Sequence, residues 1–513
     1  MTSRPALVAA ATALALALSG CGSTVQTRSV GSAQSLGSTG DSGFTSGAPA
    51  TTVDAGHGGV EPGPLSSSVT PGTAATTGGN AAGGTGQPLA PSVAGIPASG
   101  PGWDAHHVYV GFTSQEDLST VLKGVGIAFN PGSIQADVKA MAAYVNAHGG
   151  ILGHTLVPVF RDHSSAEDPT TGAGATCAAF TQDRHVAAVV NGVAPLETPA
   201  LLECMRHAGT PLLSTGYSTY DSTTYRTYGP YLVTNVVPSM TTFVPGFVPM
   251  LAGSGYLTGW NTLTAQPSNA HAIVGVLEPD NPAGHSAAAL QTTAFTRAGA
   301  GTKTYFYKED ASSYSADMSA AVLAFKSANV THVSDITNTD TGLLVFIQTA
   351  NQQQYFPRYA VTSWMLPATA ASVLADAGMS KQLNGAVGVG WTPGGDVDDA
   401  HDPGGTTAQS TCNAAMRQAG IDYRDSGMRT ARYASWAICD AINLVAGALV
   451  KAGGLGAAAF GQGMASGLST FHPAATFASG LSRSSPWVPT TFRVLVYTPS
   501  CTCFVYTGGP RTF

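Results

Sequence analysis

The stretch from Ser133 to Asp162 most limits what this chain can fold into. Ile134, Val138, Met141 and Val145 recur at helical spacing, so one face of a helix there is apolar. Pro131 and Gly132 precede it, and the Ser133 hydroxyl can accept a hydrogen bond from the first turn. Gly149 or Gly150 can adopt the left-handed conformation that stops a helix. The apolar run over 155–160 then reads as a strand, as does the run over 108–112 upstream. Strand, helix, strand at this spacing is one crossover unit of a parallel sheet.

The pattern continues. Helices are expected over 170–182 and 196–208, with strands over 186–191, 211–214 and 231–237. A second series begins near Ser239, with strands over 272–277, 304–307, 330–336 and 359–362 and helices over 316–327 and 341–351. A long helix over 431–452 and a terminal hairpin over 492–506 close the chain. Strands that alternate with helices predict parallel sheets covered on both faces. Roughly 400 residues beyond the N-terminal tract are too many for one small core and suit two lobes. The fold class is therefore α/β, as two doubly wound parallel-sheet lobes joined by a hinge.

The run Asn146-x-x-Gly149-Gly150-Ile151-x-Gly153, between a helix and a strand that ends near Asp162, resembles the opening of the leucine/isoleucine/valine-binding-protein family. These are type I periplasmic binding proteins that serve ABC importers. The strand before Asp280, with Gly284 four residues on, is similar to the opening of that family's second lobe. The long helix, with Tyr433, Asp440, Ala441 and Ala448 before Gly453-Gly454, resembles its late helix. The resemblance spans about 107–506 in order. It implies a type I periplasmic-binding-protein fold, a small-molecule ligand between the lobes, an ABC permease as partner, no cofactor and no catalysis. The division expected is 106–237 and 366–485 for the first lobe and 238–365 for the second, with strands over 486–513 left unassigned.

Ahead of the folded part, Arg4 precedes an apolar run, 6–18, too short to span a bilayer and fitting the core of a signal peptide. Leu18-Ser19-Gly20-Cys21 then resembles a bacterial lipobox, which makes Cys21 the lipidated residue and 1–21 the leader. No later stretch reads as long and apolar enough to cross a membrane, so lipid is the expected anchor, at the extracellular face of the cytoplasmic membrane. Residues 22–105 are Gly, Ser, Thr, Ala and Pro with few large apolar side chains, a composition that cannot offset ordering entropy. Such a tether has a root-mean-square span of roughly 50 Å.

Net charge is −7 with no basic run, which argues against nucleic acid as partner. Six cysteines follow Cys21: Cys177, Cys204, Cys412, Cys439, Cys501 and Cys503. An even number in an exported chain suggests disulfides. Sequence proximity favours Cys177 with Cys204, Cys412 with Cys439, and Cys501 with Cys503; the first pair resembles a bridge in the family's first lobe. No nearby His or further Cys completes a metal-ligand set around 501–503, so no metal is expected.

No Gly-x-Ser-x-Gly, His-Glu-x-x-His or Gly-x-x-x-x-Gly-Lys occurs, and the histidines form no ligand pattern. A secreted hydrolase, or a cell-surface sensing or interaction module on the same fold, are the alternatives to solute binding. In doubly wound sheets ligands sit beyond the carboxyl ends of the strands. Candidate contacts there are Thr198 at a helix start, Ser214, Thr215 and Tyr217 after the 211–214 strand, and Asp280 and Trp364 across the cleft. In the family, hydroxyls and backbone N–H groups of the first-lobe loops hold the amino acid's carboxylate, and an acid after the last of these second-lobe strands meets its ammonium. Here no Asp or Glu lies between Tyr359 and Ala375, the position before Gly284 is Ala283 rather than an aromatic, and the first loop reads Ala194-Pro195-Leu196-Glu197-Thr198 in place of a Ser pair. These departures point away from a standard amino acid and toward a neutral or anionic ligand with an apolar or ring portion.

Overall fold

The computed structural model describes residues 96–513 except 125–128, 193–195, 216–217, 309–313, 338–340, 467, 469 and 483–484. The leader, Cys21 and the tether up to residue 95 lie outside the described residues, as do Gly216 and Tyr217.

The first sheet contains β1 (His107–Ser114), β2 (Thr155–Asp162), β3 (Ala188–Asn191), β4 (Leu212–Ser214) and β5 (Leu232–Thr234), all parallel, in the order β2-β1-β3-β4-β5. Val108, Val110 and Phe112 alternate along β1 and are buried, as a period of two requires for one covered face. The helix Ile134–Ala147 starts where the sequence indicates: Ser133 Oγ accepts from Ala136 N at 3.2 Å. Both glycines after it are left-handed, Gly149 at φ +100° and Gly150 at φ +66°. A Cβ on Gly150 would stand 2.1 Å from the His154 carbonyl oxygen, so the tight return into β2 admits only glycine. Asn146 pins the helix end to β2, donating to Leu156 O (3.0 Å) and accepting from Leu156 N (2.7 Å).

Between the sheets, a short ribbon of β6 (Trp260–Asn261) and β7 (Gln266–Pro267) stands alone. The second sheet contains β8 (Ile273–Pro279), β9 (Gly301–Tyr307), β10 (His332–Ser334), β11 (Arg358–Thr362), β12 (Val387–Gly390), β13 (Thr491–Thr498) and β14 (Cys503–Thr512), in the order β14-β13-β12-β11-β10-β8-β9. Strands β9-β8-β10-β11-β12 are parallel and repeat the order of the first sheet; β13 and β14 add antiparallel. Gly284 has the role of Gly150 in reverse: a Cβ there would lie 2.1 Å from the Pro279 carbonyl oxygen, and its N–H caps on Asn281 Oδ1 at 2.9 Å.

The chain crosses between sheets after β5, after β12 and before β13. At the last crossing the backbone leans on β5, with Thr234 N donating to Pro486 O (3.0 Å) and Val488 N to Thr234 O (2.9 Å). The expected return to the first lobe at 366 is therefore too early. Residues up to Gly390 remain in the second lobe because β12 pairs with β11, and β13 and β14 settle the assignment of 491–513 to that lobe. β12 escaped notice because Val387-Gly388-Val389-Gly390 is short and glycine-rich. The glycines are there for close approach: a Cβ on Gly388 would sit 2.3 Å from Val361 O.

Three further expectations need correction. Compositional disorder does not run to 105: Trp103 bridges Gly100 and Val108, donates Nε1–H to Pro97 O at 3.1 Å, and lays its ring against Gly456. The helix after β3 begins at Pro199 rather than 196, because Thr198 is its N-cap. The helix Arg429–Ala452 does have the length and apolar composition of a membrane span. It is instead a core helix, with Ile438, Ala441, Ile442, Val445 and Leu449 buried and its flank packed on the helix Ile134–Ala147.

Disulfides join Cys177 to Cys204, Cys412 to Cys439 and Cys501 to Cys503, with Cα separations of 6.2, 6.0 and 5.2 Å. The first two each staple a pair of neighbouring helices in the first lobe.

Candidate functional site

The carboxyl ends of the two sheets face each other across a cleft that several contacts draw together. Ser286 Oγ donates to Asp221 Oδ2 (3.1 Å), Thr219 Oγ1 to Thr337 O (3.4 Å), and Thr369 and Thr430 share a hydroxyl–hydroxyl bond of 3.1 Å. Between them lies a small cavity of about 50 Å³, open at its rim. First-lobe strand ends contribute Thr215, Val236 and Val237; second-lobe ends contribute Ser363, Trp364, Leu366, Trp391 and Thr392. Phe129, Pro131 and Ile134 close one side. The other is a stripe of the long helix, Thr430, Tyr433, Ala434, Ala437 and Ile438, at the spacing of a single helical face. None of these residues is charged.

Most polar groups in this lining are already engaged. Thr215 Oγ1 donates to the carbonyls of Asn191 (2.8 Å) and Gly192. Ser363 Oγ donates to Asp396 Oδ2 (2.9 Å) and accepts from Trp391 N (2.7 Å). Asp396 is fully buried and also receives Tyr506 Oη (2.6 Å), Thr392 N (3.0 Å) and Thr392 Oγ1 (3.2 Å). Burial pushes its carboxyl up to about 6 against the pull of these donors. Trp391 Nε1 donates to Val236 O at 2.6 Å, across the hinge. Trp364 differs. It is 5 % exposed, stacked edge-on against Trp391 (4.6 Å between ring centres) and Phe243 (5.4 Å), and its Nε1–H has no partner among the described residues.

Of the residues expected at the site, Thr215 and Trp364 line the cleft. Ser214 ends β4 fully buried and is not in the lining. Thr198 is occupied as a helix cap, accepting from Leu201 N at 3.3 Å. Asp280 is half exposed and pairs with His285 at 2.9 Å. Glu197 is absorbed within the first lobe, accepting from Asn191 Nδ2 (2.7 Å) and Tyr220 Oη. At the end of β8, buried Glu278 takes donors from Gln291, Ile336 N and Thr337, and burial together with Asp335 holds its carboxyl well above the usual range. Sequence reasoning missed Trp391, Val236, Val237, Phe129 and the 430–438 stripe. Only the stripe carried a local signal, in its helical spacing. Away from the cleft, His401 Nδ1 lies 3.7 Å from Cys503 Sγ, a neighbour the sequence did not reveal. With the two sulfurs bonded to each other, no thiolate is present there to ligate a metal.

Two lobes of like topology, three crossings and a cavity between strand ends define a two-lobe binding protein. The chain belongs to the family whose model is described as periplasmic binding protein, which matches residues 119–480. Members are solute-binding proteins rather than enzymes and work outside the cytoplasm with ABC transporter permeases. No curated protein sequence matches the chain. Among solved structures the type I fold recurs. A branched-chain amino acid ABC transporter protein from Thermus thermophilus with bound valine is 13 % identical at TM-score 0.54, covering 80 % of this chain and 97 % of its own. A fatty acid ABC transporter substrate-binding protein from Thermomonospora curvata is 14 % identical at TM-score 0.53, covering 83 % and 97 %. An R. palustris solute-binding protein in complex with 4-hydroxybenzoate is 12 % identical at TM-score 0.55, covering 79 % and 97 %.

Proposed function

We propose that this chain is the lipid-anchored solute-binding component of an ABC importer, and that its solute is not a zwitterionic amino acid. The observation that carries the reading is the cleft itself: a cavity between two hinged lobes whose described lining holds no charged residue. An ammonium buried there without a partner would cost several kcal/mol. Structural neighbours are named for ligands as different as valine, fatty acid and 4-hydroxybenzoate, so the fold does not impose amino acid binding. In this reading Thr215, Trp364 and Tyr217 meet the ligand, and Cys21 carries the lipid. Calorimetry of the mature chain with leucine, isoleucine and valine should show no binding at millimolar concentration. Micromolar binding of any of the three would refute the exclusion of amino acids. Cys21→Ala should release the protein from membranes; retention after a high-salt wash would refute the anchor.

A further inference from the structure

We infer that the cleft selects an uncharged ligand with a compact apolar body, preferably a ring, and one hydrogen-bond acceptor that receives the Trp364 Nε1–H. This rests on the solute-binding reading above and narrows it.

Three observations converge. The first is the unmatched donor. Trp364 lines the cleft at 5 % exposure, and its Nε1–H, itself shut off from water, has no partner among the described residues. A buried N–H left unpaired carries a desolvation cost, which an occupant with a well-placed oxygen or nitrogen recovers as affinity. The neighbouring Trp391 shows the contrast, because its own Nε1–H is taken by Val236 O.

The second is that the lining hydroxyls of Ser363, Thr392, Thr215 and Thr430 face inward to the protein. Ser363 and Thr392 converge on Asp396, Thr215 on two backbone carbonyls and Thr430 on Thr369. A ligand with many polar groups would have to break these bonds.

The third concerns charge. Asp396 stands directly behind Ser363, so an anion in the cleft would face a carboxyl there, with no cationic residue in the described lining to pair with it. A cation gains little from the same carboxylate, which already collects donors from Tyr506, Ser363 and Thr392. Arg429, at the start of the long helix, is committed to Val397 O and Asp399. The walls that remain are Phe129, Ile134, Val236, Val237 and Ile438, which reward apolar contact.

Four probes on one skeleton test this with the full mature chain: acetophenone (neutral, one acceptor), ethylbenzene (neutral, no acceptor), benzoate and benzylammonium. Calorimetry should rank acetophenone about tenfold or more ahead of both ions, the ratio expected for one good buried hydrogen bond and no desolvated charge. Trp364→Phe keeps a ring and removes the N–H. It should weaken acetophenone roughly fivefold and leave ethylbenzene within about twofold. In ¹⁵N-labelled wild-type protein, which needs no variant to fold, the Trp364 indole N–H resonance should shift downfield with acetophenone and not with ethylbenzene. An ion that binds as tightly as acetophenone, or an indole resonance that ignores the acceptor, overturns the inference. A panel of charged metabolites run alongside separates the two levels. If charged solutes bind and no neutral probe does, the ligand class falls and solute capture stands; if nothing binds, both fall.

Discussion

The two lobes bring the same strand order to the cleft and use their strand-end polar groups in opposite ways. In the first lobe these groups mostly close on one another: Thr113 on Asn191, Asn191 and Tyr220 on Glu197, and Thr215 on the carbonyls of Asn191 and Gly192. Thr198 is used up as a cap. In the second lobe Ser363 and Thr392 close on Asp396, and the group left for a visitor is an indole N–H on Trp364, braced by Trp391. Equal topology thus does not mean equal roles. The first lobe's lining hydroxyl is closed, with Ser214 Oγ and Asn235 Oδ1, unpartnered among the described residues, buried behind it. The other lobe's lining holds an aromatic bracket with one open hydrogen bond.

The strongest way to break this contrast is Trp391→Ala. Trp391 is 1 % exposed, touches Trp364, Phe243 and Phe492 edge-on, and ties the hinge through Val236 O. Its loss should cost about 3–5 kcal/mol of stability, read in denaturant unfolding, and should abolish ligand binding as well. A variant that keeps full affinity would show that the bracket is not part of the site.

A titration sharpens the first-lobe side. Asp440, on the long helix, is buried and accepts from Ala474 N (2.7 Å) and Ala475 N (2.8 Å); burial lifts its carboxyl to about 7. A folded value above the unfolded one means that the folded state binds the extra proton. Its contribution is therefore fully present below about pH 4 and is lost as pH rises through 7. Relative to wild type, Asp440→Asn should gain on the order of 3 kcal/mol between pH 4 and pH 8. A difference that does not vary with pH in paired melts would contradict this.

Glu197→Ala removes the carboxylate that Asn191 and Tyr220 share. Stability should fall by about 1–3 kcal/mol while ligand affinity stays within about twofold. A large loss of affinity with little change in melting would mean that the first-lobe wall is a binding surface after all. The smallest effect belongs to Asp280→Asn. The carboxylate is half exposed, pairs with His285 and lies outside the lining, so stability and binding should both hold within about 0.5 kcal/mol.

Local signals were legible because local chemistry sets them. Ser133 caps because a helix start leaves N–H groups open, Gly150 turns because only glycine fits against His154 O, and Cys177 and Cys204 meet because a crossover unit sets their helices side by side. Thr198 and Asp280 show the limit of the same reasoning. Thr198 starts the helix that follows β3 and Asp280 follows β8, both on the side of a sheet where ligands gather, yet cap geometry consumes one and solvent claims the other. Trp364 was found by position alone, whereas its partner Trp391 lies in a crossing whose place in the sheet depended on the unrecognised β12.

By itself the sequence determined the α/β alternation, the repeated lobe, the family resemblance and the lack of an acid where amino acid binders carry one, since each is written in spacing or in residue type. Tertiary structure decided which groups remain available. The lining joins 129–134, 215, 236–237, 363–366, 391–392 and 430–438, and no periodicity relates segments that far apart. Whether a hydroxyl or an indole N–H can serve a ligand depends on whether some distant carbonyl or carboxylate has already taken it. Val236 O takes the N–H of Trp391 and leaves that of Trp364 open, a distinction between two tryptophans that only the meeting of the two lobes creates.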